Sequence, residues 1–93
     1  MKTYKLNRTN REYNFNIIAT CVEIDGVFVV KAGSIISPYE LMGLSKRMKQ
    51  IRDAAPIGDD NVLKEDVSFK SLYDAACFVI GTNASDKWFK PIE

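Results

Sequence analysis

The residues of this chain that are best suited to chemistry are cations placed to contact phosphate groups. Four of them fall on one predicted helix, and three more come from a hairpin strand and the C-terminal segment. They are Lys46, Arg47, Lys49 and Arg52, together with Lys31, Lys87 and Lys90. Phosphate contacts of this kind position a nucleic acid without reading its sequence, and they weaken as salt rises. The competing interpretation is a solvated helix face whose cations favour the helix C-terminus.

The overall charge gives this surface little help. The chain has 13 basic and 12 acidic residues, for a net charge of +1. Long-range attraction to DNA or RNA is therefore weak, and binding would depend on a local basic face. Trp88 and Phe89 could add base stacking, with Lys87 and Lys90 on the backbone. The alternative is that Trp88 anchors the core, and since neighbours on a strand point to opposite faces, one of the two rings would be exposed.

Catalytic, metal and cofactor sites are not predicted. The chain has no histidine, which removes the commonest general base and metal ligand. Cys21 and Cys77 lie in apolar runs, so we expect two buried, reduced thiols. The acidic residues lack the spacing of a calcium loop, and Gly33-Ser34 lacks that of a phosphate loop. Ser71 has no evident base and is better explained as a helix cap.

The size and composition predict one small domain spanning residues 1–93. Residues 1–13 are expected to form an edge strand followed by a mobile turn. No apolar run is long enough to span a membrane, and the first residues lack the apolar core of a secretion signal. We therefore expect a cytoplasmic protein with no membrane partner and no small-molecule substrate.

The elements that must position these residues begin with a hairpin. Residues 16–24 and 27–34 are rich in β-forming side chains and are separated by Asp25-Gly26, a pair that favours a type I′ turn. The register pairs Val22 with Val29 on a face of larger aliphatics. It pairs Cys21 with Val30, and Ala19 with Ala32, on a face small enough for a helix to approach. Both faces are expected to be partly covered.

Two helices are predicted to pack against this hairpin. Ser37-Pro38 with Glu40 resembles a capping box, and it predicts a helix over residues 38–54 with Leu41, Leu44, Met48 and Ile51 inward. Ser71 predicts the start of a second helix over residues 72–80, which Gly81 ends. With a short extended segment at 62–69 and a final short strand, the fold class is α+β: a small, mainly antiparallel sheet with two helices packed against it.

These elements carry a family resemblance over roughly residues 17–90. The early part is Val29, Val30, Gly33 and Ser34, and the late part is Phe69, Ser71, Ala75, Ala76, Gly81, Trp88 and Lys90. The pattern resembles a small domain family of unknown function found at the C-terminal end of GIY-YIG nuclease-like and restriction-associated proteins. The chain departs from it at Ser71-Leu72-Tyr73, where the family often has Ser-Pro-Ser, and at residues 83–87, where it often has Asn-Gly.

The resemblance implies an accessory module near nucleic-acid chemistry, without a defined activity. We therefore expect a non-enzymatic module that binds DNA, RNA or a nucleic-acid complex through the seven cations. The alternative is a protein-interaction or homodimerisation module that uses the hairpin edge, or an exposed aromatic such as Tyr39 or Phe89.

Overall fold

Five antiparallel strands and two helices make up the fold of the computed structural model, which describes residues 1–10, 14–40, 43–82 and 86–92. The elements are β1 (Lys2–Asn10), β2 (Phe15–Ile24), β3 (Val27–Val30), α1 (Lys46–Ala54), β4 (Val67–Phe69), α2 (Leu72–Ile80), a 3₁₀ turn (Asp86–Trp88) and β5 (Lys90–Ile92). The strands are ordered β4-β3-β2-β1-β5. The predicted α+β class is confirmed.

The central hairpin forms in the predicted register. Asp25 and Gly26 have φ values of 51° and 79°, so both take the positive φ that a type I′ turn requires. Cys21 pairs with Val30, and Val22 with Val29. However, β3 ends at Val30 rather than at residue 34.

The ladder ends early because Ala32 and Gly33 turn the chain. Gly33 has a φ of 93°, and pairing with β2 resumes only as a bridge between Ile18 and Ile35. The expected pairing of Ala19 with Ala32 is therefore wrong. The hydroxyl of Ser34 fills part of the gap by accepting a hydrogen bond from the backbone N–H of Thr20, at 3.1 Å.

The first strand is longer and more central than expected. β1 pairs with β2 from Lys2 to Asn10, and its Thr3–Lys5 segment also pairs with β5. The expectation of an edge strand is therefore wrong for that segment. The predicted turn at residues 7–13 is strand as far as Asn10, and residues 11–13 lie outside the described part of the chain.

The second helix matches its prediction. Ser71 caps α2 by accepting a hydrogen bond from the backbone N–H of Asp74, at 3.1 Å. Gly81 ends the helix in the left-handed conformation, and its N–H donates to the carbonyl of Cys77, at 2.9 Å. All residues from Ala75 to Ile80 are buried. Among the described residues, no helix is long and apolar enough to cross a membrane.

The first helix begins eight residues later than predicted, at Lys46 instead of residue 38. Its cap is Ser45, which accepts a hydrogen bond from the backbone N–H of Met48, at 3.1 Å. The proposed capping residue Ser37 is instead buried in a turn, where its N–H donates to the carbonyl of Val79, at 2.9 Å. Of the predicted inward residues, Leu44 precedes the helix and is buried, while Leu41 lies outside the described residues.

The core lies on one side of the sheet, between the strands and the helices. Tyr4 and Leu6 of β1 are buried, as are Ile17, Ala19 and Cys21 of β2. These side chains share a face because directly paired residues point the same way. Burial raises the pKa of the Cys21 thiol to about 11, with the charge of Glu23 as a smaller cause. The opposite face of the sheet is only partly buried: Val22 and Val29 are half-buried there, while Ile24 and Val27 are exposed.

Gly81 provides a stability test with a matched control. Its φ is 85°, and an added Cβ would meet the carbonyl oxygen of Tyr39 at 2.1 Å. Gly33 has a similar φ of 93° but open space around the same position. We expect Gly33→Ala to lower the free energy of unfolding by about 1–2 kcal/mol through backbone strain, and Gly81→Ala by roughly 3 kcal/mol or more. Urea unfolding of both variants measures the difference, and equal losses would contradict the close contact.

Candidate functional site

Three of the predicted phosphate-binding cations lie on the exposed first turn of α1. Lys46, Arg47 and Lys49 are all exposed. Arg47 pairs with Asp74 of α2, with a nitrogen–oxygen distance of 3.2 Å. Among the described residues, no ion pair involves Lys46 or Lys49. This turn is therefore the part of the predicted basic helix face that can still contact phosphate.

Arg52 does not belong to that face, and its prediction as a phosphate contact is wrong. The side chain is buried, and its two terminal nitrogens donate to the backbone carbonyls of Phe78 and Ser37. Its Nε donates to the carboxylate of Glu40, at 3.2 Å. Burial lowers the pKa of the Arg52 guanidinium, while Glu40 acts in the opposite direction. Arg52 is thus a structural link between α1, the end of α2 and the turn at residues 37–40.

Lys31 and Lys90 lie on the sheet, away from the helices. Lys31 follows β3 and pairs with Asp66, at 2.7 Å. Asp66 also accepts a hydrogen bond from the backbone N–H of Ala32, at 2.8 Å. The bond from Lys31, and after it the bond from Ala32, lower the pKa of the Asp66 carboxyl. Lys90 is exposed on β5, directly opposite Lys5 of β1.

The seven predicted cations therefore do not form one surface. Lys46, Arg47 and Lys49 lie on the helix side, while Lys31 and Lys90 lie on the accessible side of the sheet. Lys87 is exposed in the 3₁₀ turn. The fold therefore does not provide one face on which a single phosphate backbone would contact all seven cations.

The predicted aromatic contacts are also occupied within the fold. Phe89 is buried in the core, with 2% of its surface exposed. The guanidinium of Arg8 lies 3.6 Å from the centre of the Trp88 ring, a cation–π contact that ties the 3₁₀ turn to β1. Tyr39 is half-buried and packs edge-on against Phe15, with 6.1 Å between ring centres. The expectation that Phe89 or Tyr39 is an exposed docking aromatic is therefore wrong.

The accessible side of the sheet, which we call the open face, carries an aliphatic patch that the sequence analysis did not select. In the register of the sheet, Val22 and Val29 are opposite each other, as are Ile24 and Val27. The patch consists of Ile18, Val22, Ile24, Val27, Val29 and Ile92. Four of its members are more than a third exposed, with values of 37% for Ile18, 45% for Ile24, 41% for Val27 and 47% for Ile92.

A line of polar and charged residues crosses this patch. Lys90 is opposite Lys5, and Lys5 is opposite Thr20. The backbone N–H of Lys31 donates to the carbonyl of Thr20, which continues the same line to Lys31 and its partner Asp66. We call Lys90, Lys5, Thr20, Lys31 and Asp66 the lysine row. Residues two apart on a strand share a face, so Val22 and Ile18 flank this row at about 7 Å on either side.

The signal for the open face was present in the sequence. Period-two alternation places Ile18, Val22 and Ile24 on one face of β2 and the small side chains of Ala19 and Cys21 on the other face. The helices approach the small-residue face, as that alternation predicts. What alternation alone did not show is that the aliphatic face is left accessible.

Acidic and thiol groups give no second site in the described residues. Asp60 accepts hydrogen bonds from the backbone N–H of Val62 and from Lys64, and these lower the pKa of its carboxyl. No cluster of three potential metal ligands occurs among the residues that the structure describes. Cys21 and Cys77 are buried and are not joined to each other.

A small cavity of about 310 Å³ lies between α1 and α2. Its lining residues are Leu44, Ser45, Arg47, Met48, Tyr73, Asp74 and Cys77. The Arg47–Asp74 ion pair is part of this lining, and the phenol of Tyr73 has a raised pKa because of its hydrogen bond with Cys77. The volume is at the lower limit for a small-molecule pocket, and its charged groups are already paired with each other.

Comparison with protein-family models, with curated proteins and with solved structures finds no match to this chain. The resemblance to the restriction-associated family therefore stays a prediction. Function must be argued from the chain's own surfaces, of which the open face and the first turn of α1 are the two main candidates.

Replacement of Arg52 separates its structural role from that of the exposed cations. We expect Arg52→Ala to lower the free energy of unfolding by about 3–5 kcal/mol, because it leaves Glu40 and two backbone carbonyls without their hydrogen-bond donor. Arg47→Ala is the matched control, since it removes an exposed pair worth about 0–1 kcal/mol. Urea unfolding followed by circular dichroism measures both. A loss for Arg52→Ala no larger than that of the control would contradict the structural role.

Proposed function

We propose that this chain is a non-enzymatic protein-interaction module that binds its partner with the open face of the sheet. The distribution of exposed apolar side chains carries this proposal. Of the six large hydrophobic residues that are most exposed in the described part of the chain, four lie on this face: Ile18, Ile24, Val27 and Ile92. Single exposed apolar residues are ordinary, whereas a group on one accessible face is typical of an interaction surface.

The hairpin edge and the two outer strands of the sheet are less suited to binding than its face. The hairpin edge named in the sequence analysis is occupied, because β2 pairs with β1 and β3 pairs with β4. The outer strands β4 and β5 have three residues each, and Pro91 in the middle of β5 has no N–H to offer. Addition of a partner strand to β4 or β5 would gain few hydrogen bonds, which favours contact through the face.

A photo-crosslinking experiment tests whether the open face has a protein partner. A benzophenone amino acid placed at Val27 is expected to give a discrete protein adduct in the source cells. The same amino acid at Gln50, an exposed position on α1, is expected to give none. Equal labelling from the two positions would indicate random collision and would contradict the proposal.

The crosslinked protein is then purified and titrated against the chain. Ile24→Ser with Ile92→Ser removes apolar area without a change of charge, and we expect binding to weaken by roughly tenfold or more. Tyr73→Ser is the matched control, because Tyr73 is 44% exposed but lies on α2, away from the open face. Equal weakening by the control would overturn the assignment of the surface.

A second candidate function is phosphate contact by the first turn of α1. Lys46, Arg47 and Lys49 are exposed there, and no described carboxylate pairs with Lys46 or Lys49. The resemblance to accessory modules of nucleic-acid enzymes favours the same interpretation. Because Arg52 is absent from this surface, the basic surface is smaller than the sequence predicted.

Fluorescence anisotropy with labelled single- and double-stranded DNA and RNA tests the second candidate. If the turn binds phosphates, Lys46→Glu with Lys49→Glu should weaken the salt-sensitive signal, and the salt slope should fall by about two. Lys5→Glu with Lys90→Glu changes the net charge equally and should leave that signal intact. Absence of binding to every nucleic acid at low salt would exclude this function for the turn.

A further inference from the structure

The lysine row has an excess of positive charge over the residues that the structure describes. Lys5 and Lys90 are directly opposite each other on neighbouring strands, and both are exposed. Like charges in this arrangement repel and cost stability. Lys31, farther along the same row, has a carboxylate partner at 2.7 Å in Asp66. No ion pair among the described residues involves Lys5 or Lys90, so within that part of the chain these two positive charges have no carboxylate partner.

These charges lie within apolar surface. Thr20, the neighbour of Lys5 in the row, is flanked along β2 by Val22 on one side and Ile18 on the other. Ile92 lies next to Lys90 on β5, with the same orientation and 47% of its surface exposed. A complementary surface would therefore present carboxylates between aliphatic side chains, with about 7 Å between the two types of contact.

We infer that the open face binds an acidic protein surface in which carboxylates alternate with aliphatic side chains. This inference rests on the proposed function and specifies the partner's chemistry. The carboxylates pair with Lys5 and Lys90, while the aliphatic side chains cover Ile18, Val22 and Ile92. Partial removal of water by the aliphatic contacts strengthens the charge pairs at the centre.

Two other occupants fit this surface less well. A second copy of the chain, packed face to face, would bring a second lysine row, whose one carboxylate, Asp66, already pairs with Lys31. A nucleic acid would satisfy the charges but leave the aliphatic patch without a match, since the aromatic rings of β1, β3 and β4 belong to Tyr4, Phe28 and Phe69, whose register places them on the helix side. An acidic, aliphatic protein surface matches both features.

The test uses two synthetic amphipathic peptides that have the same length and the same aliphatic residues. One carries glutamate at its polar positions and the other carries lysine. Both are titrated into isotopically labelled protein, and amide shifts are followed by NMR. We expect the glutamate peptide to perturb the open-face residues of β1, β2 and β5, and to bind at least roughly tenfold more tightly than the lysine peptide, with a preference that falls as salt rises.

Charge reversal on the two sides of the molecule provides the matched control. Lys5→Glu with Lys90→Glu should invert the peptide preference, whereas Lys46→Glu with Lys49→Glu changes the net charge equally and should leave it unchanged. Circular dichroism confirms that both variants are folded. Inversion by the α1 variant instead would overturn the assignment to the lysine row.

The remaining outcomes separate this inference from the proposed function. Equal binding of both peptides at the open face overturns the acidic partner but leaves a protein-interaction surface in place. Tighter binding of an oligonucleotide than of the glutamate peptide at this face overturns both in favour of nucleic acid. If neither peptide perturbs the face at millimolar concentration, the acidic partner is rejected, and photo-crosslinking from Val27 decides the broader function independently.

Discussion

The buried guanidinium of Arg52 is the interaction on which the helical layer depends. It starts from α1 and reaches the backbone carbonyls of Phe78, near the end of α2, and of Ser37, in the turn after the hairpin. The last carbonyls of a helix have no partner within the helix, and a cation there also interacts favourably with the helix dipole. One side chain thus links three segments, which are also joined by the Ser37–Val79 backbone hydrogen bond and the Arg47–Asp74 ion pair. Glu40 balances its charge, so the group can remain ionised inside the fold.

The helical layer in turn determines which surfaces remain available. Both helices occupy the side of the sheet where Ala19 and Cys21 permit close approach. The larger aliphatic residues of the same strands are consequently left accessible. Use of the cation at position 52 inside the fold also removes it from the surface, which shortens the basic strip on α1. The same arrangement therefore weakens the case for phosphate binding and strengthens the case for contact through the sheet.

The parts of the fold governed by local chemistry could be predicted from the sequence. Asp25-Gly26 specifies a hairpin turn, and Ser71 with Gly81 specifies the limits of α2, because in each case neighbouring residues satisfy the geometry. The start of α1 could not be predicted in this way. Ser37 and Ser45 both resemble caps, and the choice between them depends on a hydrogen bond from Ser37 to Val79, more than forty residues away. Arg52 follows Leu44 and Met48 at four-residue intervals, and this spacing indicates an inward position. Its charge instead favoured the prediction of an exposed side chain.

The candidate surface was less predictable than the fold. Alternation in β2 identifies two faces and favours the small-residue face for the helices, but it does not show how much of the aliphatic face is left accessible. The pairing of Lys5 with Lys90 could not be predicted from the sequence, since β1 was expected at an edge and the final strand had no assigned partner. Their proximity follows from pairing between the first and last strands of the chain.

Because of that pairing, the two lysines come together only once the first and last strands of the chain have paired. Contacts between distant parts of a chain form late and slowly, because closing a long loop costs entropy before any contact compensates for it. The two lysines are brought together by such a closure, and β5 contributes only three residues to hold it. Fraying of this short strand would separate the lysines while the hairpin and α2 remain folded. A partner that bridges them would therefore distinguish the fully closed chain from one whose last strand is undocked, and its binding would stabilise the closed form.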